Sequence, residues 1–366
     1  MRAGSDSRAD LVVPDSRSDA SAPQKPNVFD MKRGFAPGVD SGLEPAHTPV
    51  GEVVAPAQAS YSRLEVSWDG RRFSGSRASK VPLSSNSMGD ILNLLIVSVT
   101  GDKSADLLAT AGRGKGLRVT ELSYETVGEG PIEPRWVPPR TRAILRDPYR
   151  KGAWYQATQQ RLLDALSPDQ VLDALTLRKH PDHEDKLFQF RAMEGHVPVL
   201  TSWPATRSYT GPFPVVLKRR IASGGRGTFL VRTPEELYAR LQVEAAEECI
   251  LQEYAELDAD YRILILGSRV IATVSRQIRV HEEAEGARLA VKVDAPVTLA
   301  PAVVEYARRV AEIFRCDFCG IDIVESRGRH FVIECNVSPQ FRSTEKLIGQ
   351  DIAGDVIDFL VAKDVE

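Results

Sequence analysis

Apolar and polar residues alternate in blocks along the C-terminal three quarters of the chain, and the blocks have the lengths of strands and helices. An apolar run at 91–99 has the composition of a buried strand, and a polar cap followed by helical spacing begins at Ser104. Further strand patterns occupy 117–124 and 142–145, and an amphipathic helical pattern occupies 154–166. Because strands that alternate with helices usually build a parallel sheet, we predict a small α/β domain here.

A hairpin pattern lies near the C-terminus. Two apolar runs, 321–324 and 331–333, flank the turn-forming sequence Ser-Arg-Gly-Arg, which is typical of an antiparallel hairpin. With the turn centred on Gly328, Asp322 lies directly opposite Glu334. We therefore expect two carboxylates to meet on one face of a sheet.

These carboxylates could bind a metal ion. Side chains on a strand alternate between faces, so Asn336 should share the face of Glu334 and Asp322. Opposed carboxylates destabilise a sheet unless a positive charge neutralises them, and Mg²⁺ prefers such oxygen ligands. The hairpin alone leaves a second interpretation open, in which Asp322 and Glu334 only face solvent. The other hairpin residues are expected to point into the opposite layer, namely Ile321, Ile323, Ile333 and Cys335.

A glycine-rich loop forms a second pattern upstream. A β-type run at 213–218 ends in Lys218, and a loop with three glycines separates it from another run at 228–231. Glycine lets a backbone approach a ligand closely and turn its N–H groups inward, which suits phosphate. No Gly-Lys-Ser/Thr sequence opens a helix here, so this is not a Walker loop. Alone, the loop is more typical of a flexible hairpin connection, but the acidic hairpin downstream strengthens the phosphate-binding interpretation.

The lysine loop and the acidic hairpin together resemble the ATP-grasp superfamily, and within it the RimK-type carboxylate–amine ligases, which add glutamate or similar amino acids to a carboxyl group. The resemblance spans roughly residues 90–364. Its most specific part runs from Gly320 through the segment Glu-Cys-Asn-Val-Ser-Pro-Gln-Phe to Gly354. Two shorter segments also fit, Asp-Lys-Leu beginning at Asp185 and Ile-Leu-Gln-Glu-Tyr beginning at Ile250.

The resemblance implies a fold of the classes α/β and α+β. A pre-ATP-grasp α/β domain would occupy 89–180, and an ATP-grasp domain would occupy 181–366. The ATP-grasp domain would consist of two α+β subdomains, about 181–250 and 251–366, with ATP bound between their sheets.

The resemblance also implies roles for individual residues. Two Mg²⁺ ions, for which Mn²⁺ could substitute, would bind Asp322, Glu334 and Asn336. The adenine of ATP would lie against the segment containing Glu253 and Tyr254. The remaining ATP contacts would come from Lys186, Lys218, Ser223, Gly225, Gly227 and Asp260, and the residues implied in catalysis are Arg276, Lys218 and Arg262.

The activity implied is ATP-dependent ligation of a carboxylate to an amine through an acyl phosphate, with release of ADP and phosphate. The substrate would be a small amino acid or a peptide. Two alternatives remain open: a ligase that crosslinks a precursor peptide, and an ATP-binding protein of the same fold without catalysis. The second alternative rests on one departure, because the Arg-Ser-Asn segment of RimK-type enzymes has no match at 277–286.

The cysteines suggest a further site only weakly. Cys316 and Cys319 have the spacing of half a zinc site or of a redox pair. No second pair follows, because Cys249 and Cys335 stand alone in the sequence. We therefore expect ordinary buried thiols, the commonest state of free cysteine.

Histidines and arginines add little to the site. His180 and His183 lie in a polar segment broken by proline, which predicts solvated side chains rather than metal ligands. The basic cluster of Arg219, Arg220 and Arg226 has no interleaved aromatic residues, and the net charge of the chain is −3. A nucleic-acid interface is therefore not expected, and contacts to phosphate, contacts to an acidic substrate or plain solvation remain.

Composition fits an enzyme of more than one domain, since the 366 residues are 42% hydrophobic and 27% charged. No apolar run reaches the roughly 18 residues of a membrane-spanning helix, so no membrane contact is expected. Four cysteines and the lack of a secretory signal favour the cytoplasm. Residues 1–88 are rich in Ser, Ala, Pro, Asp and Arg, and they are predicted to form a mostly disordered tail. Assembly into a homo-oligomer stays open.

Overall fold

The computed structural model describes residues 92–146, 152–222, 225–283 and 286–363, with no side-chain description at 280–283 and 286–291. These residues all belong to one compact unit, Ser79–Glu366. The predicted tail lies outside the described residues. None of the described helices combines the length and the apolarity that crossing a membrane requires.

A small parallel sheet opens the described chain, as the alternating pattern predicts. Its strands are β1 (Asn93–Ser98), β2 (Arg118–Ser123) and β3 (Thr141–Leu145), with β1 in the centre. Helix α1 (Lys103–Gly114) connects β1 to β2, and the one-turn helix α2 (Tyr124–Val127) follows β2. The crossover helix returns the chain to the same end of the sheet, which makes the neighbouring strands parallel.

Three helices lead from this sheet to the rest of the protein. They are α3 (Ala153–Asp164), α4 (Ala174–Lys179) and α5 (Lys186–Met193). The side chain of Asp185 caps α5 by accepting hydrogen bonds from the N–H groups of Leu187 and Phe188. This cap fixes Lys186 at the first helical position.

A nine-stranded antiparallel sheet follows, in the order β12-β11-β8-β9-β10-β6-β5-β7-β4. Strand β10 pairs with β6, so strands of the two expected subdomains lie in one continuous sheet. The strands are β4 (Ser202–Pro204), β5 (Val215–Arg219), β6 (Thr228–Val231), β7 (Cys249–Glu253), β8 (Ala259–Leu266), β9 (Arg269–Glu283), β10 (Gly286–Pro296), β11 (Phe318–Ser326) and β12 (Arg329–Asn336). The helices of this part are α6 (Pro234–Val243), α7 (Pro301–Phe314), α8 (Arg342–Ile348) and α9 (Ile352–Ala362).

Helix α7 covers one face of the β8–β11–β12 part of the sheet. Its buried residues recur at three- and four-residue spacing, which builds one apolar stripe along the helix. The stripe packs against the sheet residues whose side chains point away from Asp322, including Ile263, Ile321 and Ile323. The opposite face of the sheet is therefore left for polar side chains.

The predicted hairpin of β11 and β12 is present. Arg327 and Gly328 form its two-residue turn with φ of 50° and 72°, the left-handed conformation that such hairpin turns require. Asp322 is paired directly with Glu334, as predicted.

One orientation predicted for this hairpin is wrong. The register shifts after Asp322, so that Val332 pairs with Ile323 and Ile333 is an extra residue on β12. Ile333 consequently lies on the same side as Glu334, against Leu200. Val332 takes the core position that strict alternation would give to Ile333.

Candidate functional site

A cleft with about 840 Å³ of empty space, part of it open to solvent, brings together residues from α5, β5, β7, β8, β9, β11 and β12. Apolar side chains such as Leu200, Val216 and Ile278 form much of its wall. Eight predicted site residues line it: Lys186, Lys218, Gly225, Glu253, Asp260, Arg276, Asp322 and Glu334.

Asp322 is held by two arginines. It lies opposite Arg262 on the neighbouring strand, whose Nε and Nη2 donate to the two carboxylate oxygens at 2.7 and 2.8 Å. Arg276 Nη1 donates to Asp322 Oδ2 at 2.9 Å. Arg262 is not among the residues that line the cleft, so it acts on the site through Asp322.

Arg276 bridges two carboxylates. It lies opposite Asp260 across β8 and β9, and its Nε donates to Asp260 Oδ1 at 2.7 Å. Burial opposes the charge of Arg276, but Asp322 and Asp260 together raise its pKa. Burial raises the pKa of Asp260 to about 6, although Arg276 pulls in the other direction. Acidic and basic side chains therefore alternate along the cleft floor from Asp260 through Arg276 to Asp322, with Arg262 behind Asp322.

Glu334 faces a lysine instead of arginines. Lys186 Nζ lies 3.3 Å from Glu334 Oε1 and donates to the backbone oxygen of Ala222 at 2.7 Å. The backbone N–H of Lys186 also donates to Arg220 O at 3.0 Å. Lys186 thus joins α5, the start of the glycine-rich loop and the acidic hairpin.

Lys218 is the second lysine of the cleft. Its Nζ donates to Gln252 Oε1 at 2.6 Å, and Gln252 donates onward to Ser202 Oγ at 3.0 Å. Burial lowers the pKa of Lys218 to about 8. The side chain is therefore a cation in a poorly solvated position, which an incoming anion would stabilise.

The glycine-rich loop contributes unevenly. Gly225 and Arg226 line the cleft, whereas Ser223 lies outside the described residues. Gly227 has φ of 66°, and a Cβ there would lie 2.7 Å from Arg219 Cγ, so this glycine serves the turn beside β5. It is not among the lining residues.

The segment predicted to hold adenine ends β7. Glu253 lines the cleft, its N–H donates to Thr201 O at 2.8 Å, and its Oε2 accepts from Thr201 N at 3.2 Å. Tyr254 is 42% exposed and does not line the cleft. Glu253 and Ala255, rather than Tyr254, therefore border the cavity.

The donor set of the hairpin fits Mg²⁺. Asp322 and Glu334 are directly paired, and the amide of Asn336 lies beside them. As placed, Asn336 Nδ2 donates to Gly320 O at 3.3 Å and lies 3.5 Å from Asp322 Oδ2. Turning this amide over would present its oxygen at the same point, which would give three oxygen donors on one face.

Several lining residues were missed by the sequence reasoning. Gln252 and Thr228 flank Lys218 on the neighbouring strands β7 and β6. The strand pairing could have identified them. Thr228 pairs with Lys218, and Gln252 pairs with Val216, which lies two residues before Lys218 and so on the same face. The apolar wall carried no chemical signal in the sequence.

The histidines and arginines that the sequence analysis did not assign to the site contact other residues of the protein. His183 is buried with 3% exposure and its Nδ1 lies 2.8 Å from His180 O, so the prediction that it is solvated is wrong. The loop folds back on α5, where Gln189 Nε2 donates to His183 O. Arg219 pairs with Glu244, and Arg220 pairs with Asp185.

The expectation of free, buried thiols holds for Cys249, Cys319 and Cys335, whereas Cys316 is half-buried, and Cys335, which stands alone in the sequence, has two cysteine neighbours in the fold. The sulfur atoms of Cys316, Cys319 and Cys335 all lie within 4.8 Å of one another. The hairpin register could have indicated this, because Cys335 pairs with Ile321, two residues along β11 from Cys319.

The fold is that of the ATP-grasp ligases. Residues 207–360 match the family described as the RimK-like ATP-grasp domain. The chain is 29% identical over 196 residues to a probable alpha-L-glutamate ligase of Maridesulfovibrio salexigens, an alignment that covers 48% of this chain and 62% of that protein. The chain thus spans less than two thirds of the length of this relative.

Solved structures agree with this fold. The ATP-grasp ligase PsnB, complexed with its minimal precursor, superposes with a TM-score of 0.56 at 17% identity and covers 74% of this chain and 98% of PsnB. A RimK domain ATP-grasp protein from Sphaerobacter thermophilus superposes with a TM-score of 0.55 at 18% identity, covering 74% and 100% of the two chains. The chain has the ATP-grasp fold, and its residues 207–360 match the RimK-like ATP-grasp domain, as the sequence motifs predicted.

Proposed function

We propose that this chain is an ADP-forming carboxylate–amine ligase. The observation that carries the proposal is one cleft in which Lys186, Lys218 and Arg276 face the acidic pair of Asp322 and Glu334. Three cations beside two carboxylates suit a polyphosphate with its divalent ion. The RimK-like domain and the relatives named alpha-L-glutamate ligases support the same class of reaction.

The reaction proceeds in two displacements. A substrate carboxylate oxygen attacks the γ-phosphorus of ATP, the bond from that phosphorus to the bridging oxygen breaks, and ADP leaves. The amine nitrogen of the second substrate then attacks the acyl carbon of the acyl phosphate. The C–O bond to phosphate breaks, phosphate leaves, and the nitrogen loses a proton to complete the amide.

The residues of the cleft would mainly position ATP and the substrates and neutralise the negative charge of the phosphates. Lys186 and Lys218 would balance the negative charge of the phosphates, and Arg276 would lie beside the transferring phosphoryl group. Mg²⁺, held by Asp322, Glu334 and Asn336, would supply positive charge to the phosphate oxygens. Gly225 would cover the phosphates from the glycine-rich loop and exclude water, which would otherwise hydrolyse the acyl phosphate.

The finer parts of the proposal concern substrate and setting. We place a free amino acid or a peptide as the amine or carboxylate donor, two Mg²⁺ ions in the site and Mn²⁺ as a substitute. Lys186, Lys218, Gly225, Glu253 and Asp260, which line the cleft, would contact ATP, and a contact from Ser223 stays a prediction; Gly227 and Tyr254 do not line the cleft and are left out of the proposed contacts. A cytoplasmic location, the absence of nucleic-acid and membrane partners, and assembly into a homo-oligomer stay predictions.

Phosphate release by the purified full chain tests the proposal. ATP and Mg²⁺ are supplied with pools of amino acids or with short acidic peptides, and Glu334→Gln serves as the inactive control. Substrate-stimulated formation of equal amounts of ADP and phosphate that disappears in Glu334→Gln is the expected result. Stimulation by peptides alone would assign the chain to the peptide-modifying ligases. ATP binding without stimulated turnover in any pool would favour the non-catalytic alternative and overturn the proposal.

A further inference from the structure

Three of the four cysteines of the chain meet at one point that the ligase cleft does not use. The sulfur atoms of Cys316, Cys319 and Cys335 lie within 4.8 Å of one another. The fourth cysteine, Cys249, lies elsewhere, in the apolar cluster around Leu217 and Leu251. Cys316 and Cys319 are three residues apart, and the pairing of β11 with β12 in the hairpin brings Cys335 to them.

Each of the three is fixed by its backbone. Cys316 follows Arg315, the C-cap of helix α7, and its N–H donates to Ala311 O at 2.9 Å. Cys319 lies in β11 and is paired with Ile265 of β8. The side chain of Gln189 forms two hydrogen bonds with the backbone of Cys335. It accepts from Cys335 N at 2.9 Å and donates to Cys335 O at 2.8 Å. The sulfur atoms are therefore preorganised by three separate anchors.

The surroundings of the sulfurs are largely apolar, with the Thr176 hydroxyl hydrogen-bonded to Cys316 and the buried carboxyl of Asp173 nearby. Cys319 and Cys335 are fully buried among Ile263, Ile265 and Ile321, while Cys316 is partly exposed. Across the part of the chain that the structure describes, no histidine, aspartate or glutamate joins the three sulfurs to make a larger ligand group. The cluster thus offers three sulfur donors, two of them on fully buried residues.

We propose that Cys316, Cys319 and Cys335 bind a single thiophilic, three-coordinate cation, with Cu⁺ as its chemical type. Three sulfurs at a metal–sulfur distance of about 2.3 Å in a trigonal plane are about 4.0 Å apart. The cluster lies within side-chain adjustment of that spacing. Thiolate ligands select soft ions such as Cu⁺ and disfavour Mg²⁺, so the site and the oxygen-lined cleft would not compete for one ion.

The site is separate from the ligase cleft but adjoins it through the backbone. Cys335 lies between Glu334 and Asn336 on β12, and its sulfur points to the opposite face of the strand, towards helix α7. An ion bound there contacts none of the residues that line the cleft. The proposal consequently stands whether or not the ligase activity is found.

Competition with a chromophoric Cu⁺ chelator tests this inference. The reduced full chain is added without oxygen to the Cu⁺–chelator complex, and the loss of colour measures the Cu⁺ that the protein withdraws. Withdrawal of one equivalent per chain is expected, with three sulfur neighbours and no nitrogen or oxygen neighbour in the X-ray absorption spectrum. No withdrawal, or a spectrum with nitrogen or oxygen ligands, would overturn it.

Variants locate the ion. Cys335→Ser and Cys316→Ser should each fail to withdraw the one equivalent of Cu⁺ per chain. Cys249→Ser is the matched control, and it should still withdraw one equivalent. Because Cys335 is fully buried, circular dichroism must show that its variant is folded, and Cys316→Ser at the partly exposed position decides the matter if it is not. Retention in Cys316→Ser, or loss in Cys249→Ser, would refute the assignment. A parallel titration with Zn²⁺ should show weaker binding, and a preference for Zn²⁺ would contradict the three-coordinate site.

Discussion

Arg262 and Asp322 face each other across strands β8 and β11, and two hydrogen bonds of 2.7 and 2.8 Å join the guanidinium to both carboxylate oxygens. Asp322 is only 5% exposed, so the pair lies largely out of water. Burial opposes the ionisation of Asp322, but Arg262 and Arg276 hold the pKa of its carboxyl below the usual value. Asp322 is therefore an anion whose position is set by strand pairing before any ligand arrives.

Asp322→Asn should abolish turnover and also destabilise the fold. The guanidiniums of Arg262 and Arg276 would face a neutral amide in a buried place, and removal of one partner of a buried ion pair costs about 3–5 kcal/mol. Urea unfolding and phosphate release measure the two effects. Glu334→Gln should abolish turnover at a cost of roughly 1 kcal/mol, because Lys186 keeps its hydrogen bond to Ala222 O. Equal destabilisation by both variants would contradict the special position of Asp322.

ATP binding should take up a proton at Lys218. Burial lowers the pKa of this amine to about 8, and a phosphate beside it would raise the pKa again. ATP affinity should therefore fall as the pH rises through about 8–9. Titration calorimetry in two buffers of different ionisation enthalpy measures the uptake, and Lys218→Gln should remove it. Uptake that persists in Lys218→Gln would show that another group takes the proton.

The same shift predicts how stability responds to pH without ATP. The folded pKa of about 8 lies below the ordinary value of 10.5, so the unfolded chain binds more protons between these two values. Stability should consequently rise with pH across this window in the wild type. Lys218→Met should lack this rise, and denaturant unfolding at pH 7.5 and 9.5 compares the two proteins. An identical pH response in both would contradict the shift.

The acidic hairpin was predictable because its signals are local. A turn centred on Gly328 places Asp322 opposite Glu334, whereas the observed two-residue turn of Arg327 and Gly328 would, without a bulge, place Asp322 opposite Ile333. The bulge at Ile333 was not predictable, because an extra residue leaves the apolar run 331–333 unchanged in composition. The extra residue restores the predicted pairing, because it brings Glu334 into register with Asp322 and leaves Asn336 on the same face.

Features that depend on distant segments were missed for a different reason. The role of Arg262 as a partner of Asp322 requires β8 to lie beside β11, although the chain connects β8 to β9 and β10 first. The burial of His183 depends on the contact of its loop with Gln189. Neither pairing leaves a periodic signal in the sequence, so local patterns gave the residue types of the site but not their partners.

Gln189→Leu should loosen the metal-binding strand. β12 is an edge strand of the sheet, and the buried Gln189 side chain satisfies both backbone groups of Cys335 between Glu334 and Asn336. Two buried groups left without partners cost about 1–3 kcal/mol each. We expect lower stability and a higher Mg²⁺ requirement for half-maximal turnover. Gln350→Leu, at an exposed glutamine bonded only to Asp355, is the control that should change neither quantity.

Arg146→Leu should detach the first sheet from the ATP-grasp part. Arg146 Nε donates to the buried Asp102 at 2.8 Å, and its Nη2 donates to Pro339 O at 3.1 Å in the loop after β12.

Burial opposes the charge of Asp102, but Arg146 and its hydrogen bonds lower the pKa of this carboxyl. The stability that this provides is present above the unfolded pKa and is lost as pH falls through the lowered value. The variant should therefore lose about 3–5 kcal/mol near pH 7 and show a weaker loss on acidification, as measured by denaturant unfolding at pH 7 and pH 3. Arg309→Leu, which breaks an exposed pair with Glu312, should change little, and equal effects of the two substitutions would contradict the coupling role of Arg146.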